Sequence, residues 1–187
     1  GRLSASADEI PALSQLLAKA EWEPTPELTG AFKAGHIFEV TNLGHRLVAD
    51  TCVEATARES PYTAADVITS LQAGVRVGGL AARGEVTGEV VKKIKFGTPI
   101  QSSVPWLELV LTEDCVAQLK RMPVSRLQAS YVVQEVLRAE ISEQTCGRMD
   151  ASGRIVGLGS ADVELAMACA QASLEPVAVG YRTVPLT

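Results

Sequence analysis

The spacing of apolar and polar positions changes period several times along this chain. Ile10, Leu13, Leu16, Leu17 and Ala20 recur at helical intervals. Ser6 and Glu9 stand as a capping box, in which hydroxyl and carboxylate each satisfy a terminal amide, so the pattern predicts a helix over 7–21. Pro24 and Pro26 are expected to end it. The stretch 22–35, with Glu-Pro-Thr-Pro and two glycines, reads as a connector. The expected organisation is a helical arm and Pro/Gly connector over 1–34, docking on another surface, and a single domain over 35–187.

From Gly35 the period becomes two. Strands are predicted at 36–40, 46–49 and 52–55, with Asn42-Leu43-Gly44 as the turn between the first pair. Val67, Thr69, Leu71, Ala73, Val75 and Val77 alternate with more polar neighbours, and Val86, Val90, Ile94 and Phe96 face away from Glu85, Glu89, Lys93 and Lys95. With the glycine-containing link 79–84 between them, these runs predict a long amphipathic hairpin over 67–96.

Trp106 to Leu111 reads as another strand. Thr112 then caps a short helix with Glu113 and Asp114 in its first turn, Lys120 and Arg121 in its last, and Pro123 as the stop. Tyr131, Val133, Leu137, Ala139 and Ile141 form an apolar strand face, although Val133, Val136, Leu137 and Ile141 would equally fill a helix. Asp150 to Gly153 marks a turn into a strand at 154–158, Ser160 opens a helix to about Gln171, and Val177 to Val184 is a closing strand. The class is α+β: mainly an antiparallel sheet with long amphipathic hairpins, an amino-terminal helix and two short helices packed on the sheet.

Composition narrows the function. The 187 residues are 47% apolar and 21% charged, the proportions of a globular chain. The net charge of −5 lacks the polycationic footprint of a nucleic-acid partner. No run of about 18 apolar residues exists, which excludes a membrane-spanning helix. Aromatic residues are only 4%, so the core must be assembled from small aliphatic side chains. Eleven Arg against six Lys, with abundant Ala and Gly, point to a bacterial source.

Cys52, Cys115, Cys146 and Cys169 are separated by 63, 31 and 23 positions, and none belongs to a CxxC pair, so zinc-ribbon and thioredoxin-like chemistry fail on spacing. An even, dispersed set suits two disulfides in an oxidising compartment, with Cys52–Cys115 and Cys146–Cys169 as the expected pairing. The chain opens on Gly-Arg without an apolar leader, as expected where a signal peptide has been removed. The expected location is extracytoplasmic, in periplasm, envelope or medium, or cytoplasmic if the thiols are reduced.

No catalytic, cofactor or metal signature is found. His36 and His45 are the histidines, and Cys52 seven positions beyond His45 has no local nucleophile signature. His36, His45, Asp50 and Cys52 lack ligand spacing. Gly74 to Gly79 and Gly153 to Gly159 match neither phosphate-loop pattern, and Gly157-Leu-Gly-Ser160 is no nucleophile elbow. The basic cluster Lys92, Lys93 and Lys95 is a candidate contact for an anionic surface, and equally a charged strand end that resists edge pairing.

Two readings follow. The first is a non-catalytic binding or assembly module of a secreted or cell-envelope bacterial protein, with a protein partner or self-association. The second is a β-hairpin pore-forming or membrane-inserting domain, since the alternating run from Val67 to Val77 meets the 9 to 11 residues that a membrane-crossing strand needs. Membrane contact is then made through hairpins alone. An ordinary antiparallel sheet with one buried face shows the same alternation. Over about 60–185, the element order and the fragments Lys95-Phe96-Gly97-Thr98 and Val179-Gly180-Tyr181 are similar to the amino-terminal pore domain of gasdermins. That resemblance implies pore formation by paired hairpins and assigns no residue a role.

Overall fold

The structure is a computed structural model, and it describes residues 11–26, 28, 30–77, 91–149, 155–157 and 167–186. Its first helix is described as α1 (Pro11–Lys19). It ends before the later prolines are reached: Glu21 takes a left-handed φ of 63°, and the Trp22 amide reaches back to the Leu17 carbonyl at 2.9 Å. This is the termination that a glycine usually supplies. The Ser6 to Glu9 box lies outside the described residues.

The sheet is antiparallel throughout, and the class is α+β. Its strands are β1 (Glu23–Pro24), β2 (Ile37–Thr41), β3 (Gly44–Ala49), β4 (Arg58–Pro61), β5 (Val75–Val77), β6 (Val91–Phe96), β7 (Ile100–Ser103), β8 (Ser130–Met149), β9 (Ile155–Gly157) and β10 (Met167–Pro185). The 20-residue β8 is the spine. Along one edge it pairs with β10, from Tyr131 opposite Pro185 to Arg148 opposite Met167. Its other edge is shared in succession by β2, β7, β6 and β9. β3 extends β2, β4 extends β7, β5 extends β6, and β1 joins β10 at Gly180 and Tyr181.

Burial explains the inner half of β8. Val132, Val133, Val136 and Leu137 are all buried, so both faces of the strand are covered there. A strand buried on both faces loses strict alternation, which is why this segment also fits a helical pattern. One core cluster joins Leu13 and Leu17 of α1 to Leu71, Ile94, Phe96, Leu137 and Ile141. The amino-terminal helix is therefore packed into the sheet's main core. Trp22 closes that side, with the Arg182 guanidinium 3.8 Å from its ring centroid. Arg182 also donates to Glu135 Oε2 and the Ala20 carbonyl, both at 2.9 Å.

Several expectations are corrected. Residues 67–73 are helical, within α2 (Ala65–Ala73), and only Val75 to Val77 of the predicted first strand is extended. Val67 and Leu71, four apart, share a face in either period and cannot discriminate; Asp66 in the first turn and Gly74 at φ 93° mark the helix instead. Trp106 to Leu111 forms a 3-10 turn (Trp106–Glu108) and a lone bridge from Leu111 to Val53, which is also all that remains of the strand predicted at 52–55. Residues 167–171, predicted as helix, belong to β10, where pairing with β8 overrides the helical preference of alanine. The link 79–84, the turn 150–153 and residues 160–166 lie outside the described residues.

The predicted helix after Thr112 is present as α3 (Glu113–Lys120), with the Thr112 hydroxyl accepting from the Cys115 amide at 3.2 Å. A further short helix, α4 (Val124–Gln128), starts directly after Pro123.

Candidate functional site

The longest feature of the molecule is the β8–β10 ladder, and its outer half is the candidate site. A 20-residue strand rising about 3.3 Å per residue runs roughly 65 Å. The inner half is spent on the core. Beyond Ile141 the sheet continues as β10–β8–β6–β5, with rows set by register. Leu174, Ile141 and Phe96 face one another, then Ser173, Ser142 and Lys95, then Ala172, Glu143, Ile94 and Val75. The next rows are Gln171, Gln144, Lys93 and Arg76, and then Ala170, Thr145, Lys92 and Val77. Successive rows belong to opposite faces.

Ile94, Phe96 and Ile141, at the base of this outer sheet, are covered by α1 and α2 through Leu13, Leu17, Val67 and Leu71. The two margins are open among the described residues. The outer edge of β10 is paired where β1 meets Gly180 and Tyr181 and where the Thr25 amide donates to the Val179 carbonyl and its hydroxyl to the Ala178 carbonyl, and among the described residues β5 pairs with β6 alone. Unpaired N–H and C=O groups on such margins are templates for another strand.

A second exposed feature lies at the other end of β8. In the β2–β3 hairpin, Leu43 is fully exposed, and Val40 and Leu47 are about half exposed at 52% and 47%. Beside them a cavity of about 230 Å³ is lined by Phe32, Phe38, Leu43, His45 and Leu47. The His45 Nδ1 lies 2.7 Å from the Tyr131 hydroxyl, and Phe32 stacks on Phe38 at 4.4 Å between centroids. Burial, reinforced by Tyr181, pushes the Tyr131 phenol well above its ordinary range. Exposed apolar groups rimmed by polar strands mark a contact surface for protein or membrane.

The sequence-predicted residues divide between these places. Lys93 and Lys95 fall on alternate rows of one face of the outer sheet, Lys92 falls on the other, and Lys95 is exposed. Arg76, opposite Lys93, extends the basic row and was not singled out from sequence, because only pairing brings it there. Cys52 and Cys115 stand at disulfide distance with Cα atoms 5.1 Å apart, buried between Ile37, Leu119 and Val132. Cys146 and Cys169 occupy facing positions in the β8–β10 ladder.

Cys52 is thus bonded rather than free to act as a thiolate beside His45. His36 is partly covered at the start of β2, its Nδ1 has no hydrogen-bond partner, and burial lowers its pKa. No three His, Cys, Asp or Glu side chains gather as metal ligands among the described residues. None of the described helices is long and apolar enough to cross a membrane.

No protein-family model matches the chain, and no curated protein matches it.

Proposed function

We propose that this chain is a non-catalytic assembly module that associates with copies of itself edge to edge and carries paired β-hairpins into a membrane, as a pore-forming domain does. The observation that carries the reading is the length of the β8–β10 ladder beyond the core, together with margins on both sides of the same sheet that, among the described residues, are paired along only part of their length. A sheet edge cannot face lipid, because unpaired backbone groups find no water there. Pairing the β10 edge of one copy with the β5 edge of the next is heterologous, and a rotation that closes makes a ring without edges.

The outer rows support a two-faced wall. By register, a row of Gln171, Gln144, Lys93 and Arg76 is followed by one of Ala172, Glu143, Ile94 and Val75, so polar and largely apolar rows alternate as a membrane barrel requires. Glu143 and Lys92 interrupt the second set. Insertion along this face requires α1 and α2 to leave Ile94 and Phe96, so those helices act as the cover of the soluble form. Lys93 and Lys95 favour anionic headgroups, and the exposed Leu43 and Leu47 supply a separate apolar foothold. The Cys52–Cys115 pair supports an oxidising, extracytoplasmic setting.

Dye release from phosphatidylglycerol-containing vesicles, with negative-stain microscopy of the same vesicles, tests it. The expected outcome is leakage with ring or arc assemblies. Intact vesicles across anionic and neutral compositions, with the protein monomeric on them, would overturn it.

A further inference from the structure

The outer half of the β8–β10 ladder is where composition specifies register least. From Ser142 to Gly147 the facing pairs are Ser with Ser173, Glu with Ala172, Gln with Gln171, Thr with Ala170, Cys with Cys169 and Gly with Ala168. A slip of two residues sets small and neutral polar residues against much the same partners, so packing alone opposes it weakly. One pair stands apart chemically. Cys146 faces Cys169, at positions where antiparallel Cα atoms lie about 4.5 or 5.5 Å apart. Both spacings fall inside the roughly 4.4 to 6.8 Å that a disulfide requires.

We propose that Cys146 and Cys169 form a cross-strand disulfide that pins the register of the outer hairpin, a covalent site separate from the Cys52–Cys115 bond. With a small disulfide such as oxidised glutathione as oxidant, one cysteine thiolate displaces a glutathione thiolate to give a mixed disulfide. The second thiolate then displaces the other glutathione thiolate. Two electrons pass from the cysteines to glutathione, and the protons go to solvent. A two-residue slip would put Gln171 opposite Cys146 and forbid closure, so the bond selects one register. It closes a loop of 23 positions and leaves the inner ladder, from Tyr131 to Ile141, held by its own core contacts. The inference rests on register and not on the pore reading; under that reading it keeps the hairpin in one alignment as it leaves the soluble fold.

Protein equilibrated in a glutathione redox buffer, alkylated without reductant and digested, tests the bond by mass spectrometry. A peptide joining Cys146 to Cys169 is expected; alkylation at both, with Cys52–Cys115 still bonded, overturns it. Hydrogen exchange of the C146S/C169S variant then tests the pinning. Amides at 142–149 and 167–174 are expected to exchange faster by on the order of 100-fold, with 131–139 unchanged. Equal exchange in variant and parent would overturn the pinning role. Neither readout involves vesicles, so failure here is distinct from failure to form pores.

Discussion

Arg126 of α4 holds Glu39 of β2 by two contacts, Nη2 to Oε1 at 2.7 Å and Nε to Oε2 at 3.0 Å. Arg46 donates to the same carboxylate from β3, so one buried anion fastens a helix and two strands together. Hydrogen bonding from Arg126 holds the carboxyl down to about 2 from an ordinary 4.5, against the opposing effect of burial and with help from Arg46. Because the folded value is the lower one, this stabilisation is complete above pH 4.5 and is lost as pH falls toward 2. Glu39→Gln is expected to cost about 2 kcal/mol at neutral pH, and to flatten the loss of stability between pH 4.5 and 2. Denaturant titrations at pH 7 and pH 3 check this. Parallel losses in parent and variant would contradict it.

Cys52 and Cys115 tie the segment after β3 to the first turn of α3 across 63 positions. The chain-entropy estimate for a loop of that size is about 4 kcal/mol. The C52A/C115A variant is therefore expected to unfold at clearly lower guanidinium concentration. Both residues are almost wholly buried, so reductant and alkylating agent should reach them only as the protein unfolds. Rapid labelling of either cysteine under native conditions would refute that arrangement.

Gly180 is the point at which β10 passes beneath α1. A Cβ there would lie 3.1 Å from Trp22 Cβ and 3.2 Å from Leu17 Cδ2. Gly180→Val is expected to destabilise by about 2 to 3 kcal/mol through overpacking, visible as a lowered melting temperature. Gly97→Ala, whose new Cβ meets nothing nearer than 3.5 Å, serves as the nearly neutral comparison.

Lys93 and Lys95 lie two positions apart on the same face of β6. At about 1 kcal/mol for each charge near an anionic surface, K93Q/K95Q is expected to weaken binding to phosphatidylglycerol vesicles by roughly tenfold or more. Added salt should shrink the difference, and binding to neutral vesicles should not change. Cosedimentation at several salt concentrations reads all of these outcomes. An equal effect on neutral vesicles would assign the lysines to the fold instead.

The segments legible in the sequence were those whose local chemistry was unambiguous. Thr112, Glu113, Asp114 and Lys120 sit at positions only a helix rewards, and α3 occupies them. Asn42 to Gly44 separates two short strands just where β2 turns into β3. The errors fell where one pattern serves two periods. Val67 and Leu71 suit strand and helix alike, and the alanines of 167–172 favour a helix until β8 offers them a ladder. Of the candidate site, the basic residues were visible, but Arg76 joins them only by pairing with β6.

By itself the sequence determined the α+β class, the short capped helix and the turn after β2, because these depend on local period, capping and composition. Tertiary structure alone decided that β8 and β10 run together for so long and that α1 and α2 cover the base of the outer sheet. Those outcomes depend on register between residues distant in sequence. Register is selected by the summed pairing and burial of whole strands, which no local pattern of this alanine-rich chain encodes.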